Sequence, residues 1–402
     1  MVAEQFPKLT DAKGKPIVYL DSAATTQKPF CVLDAAEEFY RHSNANIHRG
    51  AHYLSRIATE QHEQSRETVA RFLNARSAKE IIFTSGTTMG INLVAQTLCL
   101  SGLIGAGDEV LVTTDAHHSN IVPWQMLCGR VGATLRPIPL TAELTFDMET
   151  YLSMLTPHTK LVAVPYISNA LGAVNPVREI IAAAKRNNPN TLVLVDGAQS
   201  TAHTAVDVQS LGCDFYAFSG HKIYAPTGTG ALWGREEILS QLPPWQGGGE
   251  MIAEVTFAKT TYNELPFKYE AGTPNIGGNI VLGKAIEWVQ SIGLEKIDAY
   301  EQRLTAMLYD GLSAIDGVQI LGPRTPRGSL VSIVVPGVHH YDLGTLLDQM
   351  GIAVRTGHHC CQPFMQSQGI TGTTRYSIAL SVTEEDIQRA LTATTRALNM
   401  LR

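Results

Sequence analysis

Short runs of β-branched and aliphatic residues recur through the first two-thirds of the chain, at 80–84, 109–114, 160–166, 191–195, 214–218 and 230–233. Between most of them, at 91–100, 121–130 and 177–185, apolar positions return at helical spacing. Strands that are apolar on both faces and separated by helices predict a largely parallel sheet covered on both sides. The fold class expected is therefore α/β over residues 30–280. Beyond that the texture changes. Helices are predicted at 280–292 and 299–315, a strand at 329–335 and a terminal helix at 384–401, which makes a second, smaller α+β domain from residue 285 onward. Gly247–Gly249 and the stretch 260–278 read as loops that reach over a site.

Composition narrows the class. The 402 residues have room for two domains, and only 17% are charged, against roughly 25% in ordinary soluble chains. Hydrophobic residues make up 44%, and with so few charges this excludes a disordered, collagen-like or nucleic-acid-wrapping protein; 31 Lys+Arg against 37 Asp+Glu leave a net charge of −6. That charge gives no reason to expect an anionic membrane as partner. The first fifteen residues mix both charges and lack an apolar run, so no signal peptide is expected. Residues 81–107 carry no charge, yet their Ser, Thr, Asn, Gln and Gly positions argue against a membrane span. Six cysteines form no C-x-x-C pair and no disulfide framework, which fits a reducing compartment.

Several motifs fail. Gly228, Gly230 and Gly234 miss the dinucleotide-binding spacing and lead into a strand; Gly86–Gly90 lacks the Lys of a P-loop. His62 and Glu63 begin like a zincin helix, but Arg66 stands where the second His ligand belongs.

In a parallel sheet, ligands gather at the carboxyl ends of strands. After 191–195 come Asp196 and Gln199; after 214–218 come Ser219, His221 and Lys222. Singly these are an N-cap or turn Asp and a solvated Lys. Together they place a carboxylate and an amine at neighbouring strand ends. Pyridoxal phosphate needs that pair, a Lys for the Schiff base and an Asp that keeps the pyridine nitrogen protonated. Ser85, Thr87 and Thr88 offer hydroxyls and N–H groups, either to the cofactor's phosphate or to plain helix capping. His117 and His118 follow another strand, where one imidazole either stacks on the ring and moves protons or merely closes a turn. Asn169, after a further strand, reaches the ring hydroxyl or a substrate carboxylate, or is a turn Asn.

The second domain carries Arg355, His358, His359, Cys360 and Cys361 in succession, two thiols in a polar loop whose flanking cations favour thiolate. Cys31, Cys99, Cys128 and Cys213 sit in apolar or helical contexts and read as core. Four contiguous His and Cys residues do not easily wrap one tetrahedral ion, so a metal is disfavoured; a vicinal disulfide and two inert thiols remain open. Arg375 offers a guanidinium fork suited to an amino-acid carboxylate, or to a surface salt bridge.

These motifs in this order resemble group II cysteine desulfurases of the SufS/CsdA type. The resemblance runs from Tyr19–Thr25 through Ala45–Arg49, Gly86–Thr88, Asn169, Asp196–Gln199, Ser219–Lys222 and Glu270–Asn275 to Arg355–Cys360 and Arg375. It implies a pyridoxal-phosphate-dependent transferase of fold type I, with a mainly parallel seven-stranded sheet in a large domain, 26–284. A small α+β domain, 1–25 with 285–402, would carry the Cys loop. A cytoplasmic homodimer is implied, with active sites at its interface.

By position, Lys222 would hold the cofactor, Asp196 pair the pyridinium and Gln199 contact the ring hydroxyl. Thr87, Thr88, Ser219 and His221 would bind the phosphate, joined by Thr273 lent from the other subunit. His117, in preference to His118, would stack on the ring and carry protons. Asn169 and Arg375 would bind the substrate carboxylate, with Arg355 near the mouth of the pocket. The implied activity converts L-cysteine to L-alanine and passes sulfur, as a persulfide on Cys360, to an acceptor protein of SufE, SufU or CsdE type. Iron–sulfur cluster or other sulfur-cofactor assembly would use it. Selenocysteine lyase activity on the same site, and a PLP aminotransferase or kynureninase-like hydrolase, are the competing activities. The chain departs from the family pattern at Met89, Ala116, Cys361 and Ser381–Thr383.

Overall fold

The computed structural model describes residues 2–402. All six predicted runs form strands of one seven-stranded sheet: β1 (Ile81–Thr84), β2 (Glu109–Thr113), β3 (Thr134–Ile138), β4 (Thr159–Pro165), β5 (Leu192–Asp196), β6 (Phe215–Ser219) and β7 (Gly230–Gly234). Their spatial order is β1-β7-β6-β5-β4-β2-β3. The first six point the same way, and β7 runs against both its neighbours. The strand absent from the predicted runs is β3, a partly exposed edge containing Arg136 and Pro137. An edge position tolerates the proline's missing donor and removes the apolar signature.

Adjacent residues of the central strands enter different apolar layers, Leu111, Val162 and Val193 in one and Val110, Leu161 and Leu194 in the other. Period-two side-chain alternation makes a doubly buried strand read as an unbroken apolar run. One face is covered by α1 (Tyr53–Phe72), α4 (Val177–Asn187) and α5 (Ile276–Ile292), the other by α2 (Thr87–Ser101) and α3 (Val122–Val131). The uncharged stretch 81–107 is thus β1 and α2. Among the described residues no helix is long and apolar enough to cross a membrane.

Two boundaries differ from expectation. Helix α5 runs unbroken across 284–285, and its buried Val281, Leu282, Ala285, Ile286 and Val289 belong to the large-sheet core. The chain breaks instead at Gly293, with φ +93°, before α6 (Leu294–Ser313). The N-terminal segment is also divided: Phe6 packs on Tyr224 and Trp288, whereas Val18–Tyr19 pair with Ile352–Ala353 of the second unit. That unit holds an antiparallel sheet of β8 (Gln319–Leu321), β9 (Leu330–Val334), β10 (Arg355–Gly357) and β11 (Thr373–Ser377), in the order β8-β9-β11-β10. Helix α7 (Glu384–Leu401) matches the predicted terminal helix and starts on a capping box between Thr383 and Asp386.

The stretch 260–278 is only partly loop. Thr260–Tyr262 pairs with Ile252–Val255 in a hairpin, and α5 begins at Ile276. Glu270, just before Thr273, is forked by the buried Arg66 guanidinium at 2.6 and 2.9 Å and accepts the Phe83 N–H at 2.7 Å. Arg66 also bonds Glu63 at 2.9 Å, so the zincin-like start is a carboxylate clamp that fixes the 270–275 segment to α1 and β1.

Candidate active site

The carboxyl ends of β1, β2, β4, β5 and β6 open on one cavity of about 190 Å³, closed on the far side by the second unit. Every site residue implied by the resemblance lines it except Thr273, and Ser85 also stays outside. Thr273 is exposed, outside the pocket of its own chain; Gly247–Gly249 and the hairpin also stay clear of it.

On the sheet side, Asp196 ends β5 and is buried; its Oδ1 accepts the Ala198 N–H at 2.9 Å. Burial pushes its carboxyl above the usual range, and nearby Lys222 pulls in the opposite direction. Lys222 closes the short turn after β6, and burial lowers its ammonium to about 8 despite the favourable charge of Asp196. Gln199 donates to the Ala23 carbonyl at 2.8 Å.

Helix α2 starts at Thr87, whose N–H and hydroxyl both meet Ser219 Oγ at 2.9 Å. Gly86 makes this approach possible. Its φ is +138°, and a Cβ there would lie 2.9 Å from Ser219 Oγ. The unpaired donors of the first helical turn therefore face the cavity beside Thr88, Ser219 and His221. His221 Nδ1 is buried without a partner among the described residues, and burial lowers its pKa to about 4. His117 Nδ1 accepts the Ser119 N–H at 3.1 Å, so a neutral ring carries its proton on Nε2. Burial, then the charge of Lys222, lowers its pKa to about 3.

The opposite wall carries Arg375, Arg355, Asn169 and the two adjacent thiols. Arg375 is no surface residue: it is 2% exposed on β11, donates to the Asn169 carbonyl at 2.8 Å, and its Nε has no partner among the described residues. Arg355 lies on strand β10, not in a loop, directly opposite Arg375. Asn169 spends an amide N–H on the His359 carbonyl at 2.6 Å, bracing the loop as well as lining the pocket. The two adjacent thiols do not share a polar environment. Cys360 is half-buried at the cavity, whereas Cys361 is fully buried among Leu171, Phe364 and Met365 and donates to the Asp115 carbonyl at 3.1 Å. Burial pushes the Cys361 thiol well up. All six cysteines are free; Cys128 and Cys213 are core residues, while Cys31 and Cys99 are half-buried at the core's margin.

Three residues take roles that the sequence reading did not give them: His359 and Ser119, which line the cavity, and Asp21, which stands behind its wall. Asp21, within the quoted Tyr19–Thr25 motif, reaches Arg355 at 3.6 Å and Arg375 at 3.4 Å. His359 is buried, bonds the Thr373 hydroxyl at 2.7 Å, and is held neutral by burial with its pKa near about 2. Ser119 orients His117. Asp21 carried a signal in sequence; His359 is known by its contacts with the distant Asn169 and Thr373, and Ser119 by a local turn with His117.

Residues 18–390 match the Aminotransferase class-V family. The chain belongs to that family. A probable cysteine desulfurase of Vibrio cholerae is 46% identical over 401 residues, covering 100% of this chain and 98% of the relative. Among solved structures, the cysteine desulfurase CsdA of Escherichia coli superposes with a TM-score of 0.92 at 40% identity, over 100% of this chain and 98% of that one. A variant of C-DES with glycine covalently linked to its PLP cofactor gives a TM-score of 0.83 at 25% identity, over 98% of each chain. The class-V family member described here therefore shares its whole length and sheet architecture with such enzymes.

Proposed function

We infer that the protein is a pyridoxal-phosphate-dependent cysteine desulfurase, a sulfurtransferase that releases L-alanine from L-cysteine and retains the sulfur as a persulfide on Cys360. The observation that carries this is a thiol on a loop of positive φ, sharing one cavity with Lys222 and the buried Asp196. The residues suit the cofactor on physical grounds. A glycine-built cradle at a helix N-terminus suits its phosphate, and a carboxyl held up by burial suits a cationic ring nitrogen. Bound there, the cofactor supplies an electron sink for the substrate Cα.

The protein's own residues do the rest. Thr87, Thr88, Ser219 and His221 hold the phosphate, while Asp196, Gln199 and the His117 ring orient the pyridine. Arg375, with its free Nε and with Arg355 beside it, receives the substrate carboxylate; Asp21 fixes both guanidiniums. Lys222 Nζ, neutral above about 8, takes the Cα proton, and His117 Nε2 moves protons to and from the substrate. The Cys360 thiolate attacks the substrate sulfur. An S–S bond forms, the C–S bond breaks, and its electron pair stays on carbon, which is protonated and released as alanine.

Thr273 completes the phosphate site of a second copy, so the working unit is a homodimer. The rigid Glu270 clamp and the exposed Tyr53, Leu54 and Phe257 support this. The half-buried Cys360 is open to an acceptor protein's thiol of SufE, SufU or CsdE type, and six free thiols suit the reducing cytoplasm.

The test is incubation with L-cysteine followed by peptide mass spectrometry. One added sulfur on Cys360 is expected; sulfur on Cys361 alone moves the nucleophile, and none removes the persulfide route. Cys360→Ala assayed on L-cysteine and L-selenocysteine separates the desulfurase from a selenocysteine lyase.

A further inference from the structure

His359 and Cys360 have φ of +51° and +55°. Two successive non-glycine residues in the left-handed region do not hold themselves there. Asn169 and Thr373 hold His359, and His118 holds the chain on the Cys360 side. The His118 backbone N–H donates to the Cys360 carbonyl at 2.7 Å, and its imidazole Nε2 accepts the Gln362 N–H at 3.1 Å. One residue thus grips the chain on either side of Cys361. The His358 ring lies against it with centroids 5.6 Å apart, and His358 Nδ1 accepts the Cys360 N–H at 3.1 Å. His118 itself does not line the cavity; whatever it does for the reaction, it does through the loop.

We propose that His118 is a positioning residue for Cys360, whose peptide N–H and neutral imidazole clamp the loop of the second unit onto the turn after β2 and hold the thiol over the cavity. Cys360 as the nucleophile is taken from the function inferred above. The imidazole must stay unprotonated to accept from Gln362. The groups facing it are His117 on its own turn, and His358 and Cys360 on the loop. Burial, then His358, lowers the His118 pKa from its ordinary value, which preserves the acceptor at neutral pH.

The clamp is tested on the holoenzyme with His118→Ala, His118→Gln and His118→Asn. Glutamine places an amide oxygen near the Nε2 position; asparagine places one near Nδ1, out of reach of Gln362. Amide hydrogen exchange of the peptide containing Gln362, measured without substrate, is expected to rise roughly tenfold in the Ala and Asn variants and to stay near wild type in Gln. Single-turnover persulfide formation on Cys360 follows the same order, about tenfold slower in Ala and Asn, with KM for L-cysteine within about twofold. Unchanged exchange in His118→Ala, or a Gln variant as loose as Ala, overturns the proposal. If the wild type places no sulfur on Cys360, the inferred function fails, and the exchange measurement still decides the clamp.

Discussion

The two walls of the cavity are built by different means. On the large-sheet side, Asp196 and Ser219 end strands and Lys222, Thr87 and His117 follow strand ends, and the ladder's register sets their spacing. On the other side, Cys360 sits on a loop with two positive φ values, held by bonds from His118, Asn169 and Thr373. A sheet edge is rigid because each strand is bonded along its length. A strained loop is rigid only while its outside partners are in place. The sheet wall therefore suits holding a cofactor, and the loop wall suits presenting a nucleophile that must also meet a partner protein. The two functions should separate under mutation.

The largest effect is expected from Lys222→Ala: covalent retention of the cofactor is lost, and alanine release falls by about 10⁴-fold or more. Turnover within tenfold of wild type would remove Lys222 from the chemistry. Cys360→Ala should keep cofactor uptake unchanged by absorbance titration while desulfuration of L-cysteine falls about 10³-fold. Concurrent loss of cofactor would show that the walls are one structure. Arg375→Lys loses the planar fork, and a rise in KM for L-cysteine of roughly 10- to 100-fold is expected; an unchanged KM places the carboxylate elsewhere.

A pH series sharpens the contrast further. The Lys222 pKa is depressed to about 8 from an ordinary 10.5. The apoprotein should take up pyridoxal phosphate about tenfold faster per pH unit up to about 8, then level off. The sign for stability agrees: the unfolded chain holds that proton more tightly, so the apoprotein gains stability as pH rises from about 8 toward 10.5. Uptake independent of pH below about 8 would contradict the lowered amine. The smallest effect belongs to Cys361→Ala. Loss of a buried thiol from the Leu171, Phe364 and Met365 cluster should lower Tm by about 2 °C, with the persulfide still found on Cys360.

Much of this was legible before any coordinates. The doubly buried strands announce themselves by β-branched runs, and helices by their period, because burial on both faces leaves a one-dimensional trace. Strand ends then point to Asp196, Lys222, Thr87 and His117 by a topological rule that needs no contacts. Edge strand β3 and the three-residue strands β8 and β10 were not legible, since short or half-exposed strands carry polar residues. Helix α5 is apolar enough for either unit, and only its packing on the large sheet assigns it.

The amino-acid sequence by itself determined the α/β class, the order of the strand-end motifs and the residue types that pyridoxal chemistry needs. Local periodicity and turn chemistry encode these within a few residues of each position. Only the tertiary structure decided which of two adjacent cysteines faces the cavity, that Arg375 is buried against Asn169 and Asp21, and that His118 grips the nucleophile's loop. Those facts depend on segments far apart in the chain meeting across two units, and no local pattern records which way a side chain turns when they meet.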